Sequence, residues 1–223
     1  MSVLAPVAAL ADELARGIAA LHIEVTAQQQ ARLVAYLDLL VKWNKTYNLT
    51  AIREPERMVT HHLLDALAVL PHLPQRAVLR VLDVGSGGGI PGLVLAIVRP
   101  DWHVTLVDAV HKKVAFLTQA AIELALPNVE ARAVRVEDLV PAAPYDVVIS
   151  RAFADLSTFA ETSARHLAPL GLLIAMKGVH PHDELAHLPP DIRVSATPSL
   201  TVPGLDAARH LIVMQHAAGG ASP

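Results

Sequence analysis

The chain has 223 residues, 53% of them apolar, no cysteine and a formal charge of −3, which suits one globular core with a small appended segment. Without cysteine there is no disulfide scaffold, thiolate metal site, iron–sulfur cluster or covalent cysteine chemistry. The longest uncharged run, Val84 to Val98, is interrupted by Pro91 and several glycines, so no segment is expected to span a membrane. The start lacks a basic segment and carries Asp12 and Glu13, so a secretory signal is not expected and a cytoplasmic location follows. The slightly acidic total argues against indiscriminate polyanion binding but leaves room for a local basic face.

Up to about Leu73 the pattern is helical. Thr26 and Gln29 form a capping-box spacing, and Leu33, Tyr36, Leu37, Leu40 and Trp43 then recur every three or four residues. Asn44, Thr46, Asn48 and Thr50 break that period, Pro55 suits a first helical turn, and Val59, Leu63, Ala66 and Leu70 define the next apolar face. From Val78 short apolar runs alternate with helical stretches: Val78–Val84, then Ile90–Val98; His103–Val107, then His111–Leu126; Asn128–Val134; Tyr145–Ser150, then Ser157–Leu167; Gly171–Met176. Such alternation predicts an α/β fold with a mostly parallel sheet covered on both faces. Ile192–Ala196 and His210–Gln215 follow without a helix between them and predict an antiparallel edge hairpin. The expected organisation is a helical cap over 1–74, an α/β core over 75–216 and a frayed tail over 217–223.

Asp83 to Gly92 closes the first strand and opens a helix, with glycines at 85, 87, 88, 89 and 92. Glycines at such a turn admit positive φ and let a ligand touch the backbone, which predicts a nucleotide-like cofactor. A dinucleotide pyrophosphate needs helix N–H donors, and Pro91 deletes one. S-adenosylmethionine carries no phosphate and needs only close backbone approach, so it is expected to bind while NAD is not. Asp108, ending the second strand, is placed for ribose hydroxyls or is an ordinary strand-end carboxylate. Val136 and Glu137 stand where an adenine would be read, unless Glu137 merely caps a turn.

After the fourth strand comes Ser150-Arg151-Ala152-Phe153. The Asn/Asp-Pro-Pro-aromatic sequence suited to methylating exocyclic amines is absent. An arginine and an aromatic suit guanine N7 instead, whose in-plane lone pair is nucleophilic and carries no proton, so alignment suffices and no general base is needed. Phe153 is a candidate to stack on the base and Arg151 to bind the cofactor or guanine's acceptor edge. Their alternatives are a core phenylalanine and an arginine paired with Asp146 or Asp155. Lys177, leaving the fifth strand, is a candidate phosphate or base contact or a solvated lysine.

Trp43-Asn44-Lys45-Thr46-Tyr47-Asn48-Leu49-Thr50, His62-Leu63-Leu64-Asp65, the glycine turn with Ile90-Pro91-Gly92, Arg135-Val136-Glu137, Ser150 to Phe153 and Ala175-Met176-Lys177-Gly178 together resemble the bacterial ribosomal small-subunit methyltransferase G family, also called glucose-inhibited division protein B. The resemblance runs from about Thr26 to Gln215 with its blocks in order. It implies a class I, Rossmann-like methyltransferase with an N-terminal helical extension, using S-adenosylmethionine to methylate N7 of one guanine in the 530 loop of 16S rRNA. Carried over by position, Gly85, Ile90, Val136, Glu137 and Arg151 would hold the cofactor, with Gly87, Gly89 and Asp108 beside them. Arg151, Phe153 and Lys177 would position the acceptor. The partner implied is small-subunit rRNA or an assembling small subunit, with no membrane and no obligate protein partner. Gly88, Val94 and Ala66 depart from the family's usual residues, and Ala66 removes a hydroxyl.

Other readings of the same residues are a methyltransferase for a small molecule or protein, a non-catalytic regulator that binds the cofactor, and, weakened by Pro91, an NAD-linked oxidoreductase. Lys42, Lys45, Arg53 and Arg57 with His61 and His62 gather near the first interhelical loop, either as an RNA-facing patch or as a solvated helix face. His180, His182, Asp183, Glu184 and His187 have ligand-type side chains but lie in what reads as an exposed loop, so no metal is expected. Trp43, on an apolar stripe, is expected in the core.

Overall fold

A computed structural model describes residues 7–151, 153 and 155–217. Two helices open it. In α1 (Val7–Ala20), which the sequence reading did not single out, Leu10, Leu14, Gly17 and Ile18 are buried. In α2 (Ala27–Tyr47) the capping box forms in both directions, Gln29 N donating to Thr26 Oγ1 at 3.2 Å and Thr26 N to Gln29 Oε1 at 2.8 Å. The helix ends at Asn48, whose left-handed backbone returns its N–H to the Asn44 carbonyl. The next helical stretch changes pitch: α3 (Pro55–Met58) runs into a π-helical segment, Val59–Leu64, and then α4 (Asp65–Leu67). π-segments are rare and frequently mark functional sites.

The remainder is a seven-stranded sheet in the order β3-β2-β1-β4-β5-β7-β6. Its strands are β1 (Arg80–Val84), β2 (His103–Asp108), β3 (Val129–Ala133), β4 (Tyr145–Arg151), β5 (Leu167–Lys177), β6 (Ile192–Ala196) and β7 (His210–His216). The first five pair in parallel; β7 runs antiparallel to both β5 and β6. The expected edge hairpin therefore exists, with β7 as its inner strand. The order reverses between β1 and β4, and such a switch point opens a crevice at the strands' carboxyl ends.

Period-two alternation sorts the strand side chains between two apolar interiors. Val81, Leu106, Val147, Ile149 and Ile174 face a cluster shared with α1, α2, the π-segment, α5 (Gly92–Val98) and α6 (His111–Glu123), while Leu82, Val148, Leu173 and Ile212 face α7 (Leu156–Ser163). The helical extension thus shares one interior with the sheet. Trp43, expected in the core, is half-buried and packs against this cluster and on Tyr47 and Phe116.

Differences from the expected boundaries have local causes. α5 starts at Gly92 rather than Ile90 because Pro91 is its N-cap, and β1 starts at Arg80, after the exposed Val78. A one-turn helix, α8 (His182–Leu185), stands where an exposed loop was expected. Of the tail, only Ala217 is described, its N–H on the Asp191 carbonyl; the frayed end expected over 218–223 lies outside the described residues. No helix among the described residues is long and apolar enough to cross a membrane.

Candidate active site

The glycine turn leaves β1 at the switch point, and most of its N–H groups are taken up within the protein. Gly85 and Ser86 donate to the Val107 carbonyl, Gly89 and Ile90 to the Ser86 carbonyl, Gly87 to Asp108 Oδ2 and Gly92 to Asp83 Oδ2. What the turn offers a ligand is therefore space more than donors. At Gly85 (φ +70°) nothing lies within 4 Å of where a Cβ would stand, whereas at Gly89 a Cβ would fall 2.4 Å from Leu93 Cδ1. The first glycine keeps a cradle open; the second lets the turn sit down on its helix. A sulfonium donor, which needs room rather than phosphate-binding donors, fits this cradle. Ile90 is buried in the apolar interior beneath.

Two carboxylates flank the turn. Asp108 accepts from Gly87 N at 3.1 Å, Val110 N at 2.9 Å and Lys113 Nζ at 3.2 Å, which leaves acceptor capacity for one more hydroxyl. Asp83 is fully buried; Oδ2 binds Gly92 N at 2.9 Å and Oδ1 has no hydrogen-bond partner. Burial pushes its carboxyl up to about 7, against the pull of the Gly92 N–H and the Arg151 charge. Beyond β3, Val136 is buried with its carbonyl on His166 Nε2, while Glu137 is exposed and its carbonyl accepts from the Arg165 guanidinium.

On the acceptor side Arg151 pairs with neither Asp146 nor Asp155. Asp146 holds Arg76 and the Arg80 N–H, and Asp155 caps α7 through Thr158 N. Arg151 instead reaches across to the π-segment, donating to the His61 carbonyl at 2.9 Å and Asp65 Oδ2 at 3.4 Å. The other oxygen of the buried Asp65 takes Arg209 Nε at 2.9 Å. One carboxylate thus orients two guanidiniums and leaves a net positive charge. His62 lies between Thr50 Oγ1 (2.9 Å) and Arg151 Nη1 (3.4 Å); burial, and then the Arg151 charge, lower it to about 4. It is neutral at working pH, so the expected basic patch loses His62 and keeps the exposed Lys42, Lys45, Arg53 and Arg57.

Phe153 is half-buried, 5.3 Å from Phe159 between ring centres, with one side on the second interior. Lys177 is not a solvated lysine: its ammonium lies 2.8 and 3.1 Å from the two oxygens of Glu184, which also accepts the Leu156 N–H at 2.8 Å. Asp83 and Arg209 were not among the sequence candidates, and Glu184 was weighed only as a ligand-type side chain of an exposed loop. Asp83 had a legible signal, a lone acid inside an apolar strand; Arg209 and Glu184 had none, because only the chain's return as β7 and the α8 turn bring them to the crevice. His180 lies 4.2 Å from His182 and 5.5 Å from His210 by ring centres, and among the described residues no group of three His, Asp or Glu is arranged to hold a metal ion.

A mostly parallel sheet with an antiparallel edge, a glycine turn at the switch point and Asp108 ending the neighbouring strand define a class I methyltransferase. Solved structures agree on the fold: TrmN from Thermus thermophilus (TM-score 0.54, 20% identity, 68% of this chain and 48% of that one) and coclaurine N-methyltransferase bound to N-methylheliamine and SAH (TM-score 0.54, 15% identity, 89% and 76%). The profile of the GidB family, rRNA small subunit methyltransferase G, matches residues 29–212. Proteins named ribosomal RNA small subunit methyltransferase G are 55% identical in Azoarcus sp. strain BH72 (96% of this chain, 99% of that protein) and 52% identical in Chromobacterium violaceum (91% and 96%). The chain belongs to this family: it is an enzyme that methylates guanine N7 in small-subunit rRNA, with S-adenosylmethionine as donor.

Proposed function

We propose that the target guanine is the one in the 530 loop of 16S rRNA. Gly85, Gly87, Gly89, Ile90, Asp108, Val136, Glu137 and Arg151 form the donor site, and Arg151, Phe153 and Lys177 position the base. The observation that carries the donor assignment is the cradle over Gly85, open above a turn most of whose own N–H groups are occupied. When bound, S-adenosylmethionine supplies an electrophilic methyl carbon on sulfur. The protein's task is alignment, since guanine N7 attacks through a lone pair and releases no proton. Arg151, fixed by Asp65 and the His61 carbonyl, offers a directed cation; the half-buried Phe153 offers a ring for stacking, which offsets the unstacking of the target nucleotide.

The reading takes residues 1–74 as the helical extension and 75–216 as the transferase core. The substrate is free rRNA or an assembling small subunit in the cytoplasm, with no obligate protein partner. Lys42, Lys45, Arg53 and Arg57 provide a restricted basic face, in keeping with the charge of −3. The experiment is nucleoside mass spectrometry after incubating the enzyme and methyl donor with 16S rRNA or small subunits, followed by mapping. Methyl-guanosine at the 530 loop is expected; its appearance elsewhere, or none with donor bound, would sink the assignment.

A further inference from the structure

The glycine turn is fastened from outside the transferase core. Tyr36, in the middle of α2, is wholly buried, and its hydroxyl donates to the Gly88 carbonyl at 2.6 Å. Burial holds that hydroxyl well above the ordinary tyrosine range, so it remains a donor at any working pH. Leu40 and Leu49 close the same side: a Cβ on Gly88 would stand 3.1 Å from Leu40 Cδ1 and 3.6 Å from the Leu49 carbonyl oxygen. Gly88 lies between Gly87 and Gly89, both at positive φ, with their N–H groups on Asp108 and the Ser86 carbonyl. Consecutive glycines give a turn many competing conformations. A bond to the Gly88 carbonyl restrains the Gly88–Gly89 peptide plane.

We propose that Tyr36 is a positioning residue for the methyl donor: it holds the turn in the arrangement that keeps the space over Gly85 open, so the helical extension builds part of the donor site. The inference rests on the reading that the turn binds the donor. Without the hydroxyl, the buried Gly88 carbonyl loses its partner and the free protein populates other turn conformations, each of which must be reversed before the donor enters. The apparent affinity falls by the fraction of molecules still competent.

The test is calorimetric titration of S-adenosylmethionine into the full-length protein and three variants, reading Kd and stoichiometry separately. Tyr36→Phe keeps the ring and is expected to weaken donor binding roughly three- to tenfold at unchanged stoichiometry. Asn128→Ala, which frees three carbonyls remote from the turn (Ala96, Arg99 and Trp102), is expected to lower the melting temperature and leave Kd unchanged, as any merely structural loss would. Gly85→Val is expected to abolish binding. Unchanged Kd in Tyr36→Phe alongside lost binding in Gly85→Val overturns the role of Tyr36; normal binding by Gly85→Val overturns the site assignment instead. A second measurement uses the wild-type protein, where the donor is expected to slow amide hydrogen exchange around residues 33–40 as well as 85–92. Protection confined to the turn would count against the proposal even if Tyr36→Phe did not fold.

Discussion

The proposed donor and acceptor halves of the site are built from different material. The donor half is mostly local and made of backbone: ten consecutive residues, Asp83 to Gly92, bond to one another and to the adjacent end of β2, where Asp108 stands, and Val136 follows β3. The acceptor half is made of side chains from distant parts of the chain, with Asp65 gripping Arg151 and Arg209, and Glu184 gripping Lys177. A backbone site is fixed by its own turn and the few contacts that fasten it, here Tyr36 on the Gly88 carbonyl. A site of paired charges depends on every element that brings one partner, so single substitutions should damage the two halves in different ways.

The largest effect is expected at the acceptor half's shared anion. Asp65→Ala leaves two guanidiniums, each about a quarter exposed, without their counterion, and removing one partner of a buried ion pair costs about 3–5 kcal/mol. Chemical denaturation should show a loss of that order, with methyl transfer to rRNA falling at least tenfold in the folded fraction. A variant as stable and active as wild type would mean that the clamp is incidental. In the donor half, Gly85→Val should separate binding from stability. The branched side chain enters open space, so its structural cost is confined to the backbone at positive φ, about 1–2 kcal/mol. Donor affinity should fall at least a hundredfold; a stability loss far above 2 kcal/mol would show that the turn is less independent than its hydrogen bonds imply.

A smaller effect is expected at Lys177. Glu184→Gln keeps an acceptor for Leu156 N–H but removes the charge facing the ammonium. Single-turnover methyl transfer should drop about fivefold to tenfold with donor affinity intact, the difference between a charge-assisted and an ordinary hydrogen bond. The double variant with Lys177→Met should be little worse than either single change, since the two act as one unit. Strictly multiplicative losses would separate them.

The contrast between the halves also explains what was legible in the sequence. Period-two runs and the glycine turn are local signals, so the sheet, the edge hairpin and the donor turn could be read directly, as could the Thr26 capping box. Arg151, Phe153 and Lys177 were legible as candidates through their place after strands β4 and β5. Their partners were not: Asp65 precedes Arg151 by 86 residues and Arg209 by 144, and no local pattern records that a π-turn will face two strand ends. His62 was misread as part of a basic patch because its sequence neighbours are basic, whereas burial, which sequence spacing does not register, keeps it neutral. Tyr36 was read correctly as an apolar-face residue, but its hydroxyl's task depends on a contact with Gly88, 52 positions away.

The smallest net effect is expected from pH, because the two halves oppose each other. Asp83, in the donor half, is raised from 3.8 to about 7, so between those values the folded state holds a proton that the unfolded chain has lost, and stability falls as pH rises. His62, against the acceptor half, is lowered from 6.5 to about 4, so across that window the unfolded chain binds the extra proton and stability rises with pH. From about pH 4 to 6.5 the two slopes have opposite sign and similar size, each on the order of 1.4 kcal/mol per pH unit at most. Together they leave wild-type stability nearly level with respect to this pair. Substitution should expose each slope in turn. Relative to wild type, Asp83→Asn should gain stability between pH 4.5 and 6.5 by about 2–3 kcal/mol, because the His62 slope is left unopposed, and His62→Gln should lose a similar amount over the same interval. Urea unfolding of the three proteins at the two pH values measures both differences. Variant-minus-wild-type differences that do not move with pH would mean that neither group titrates between folded and unfolded states, and that the burial of these two side chains is not what couples the site to protons.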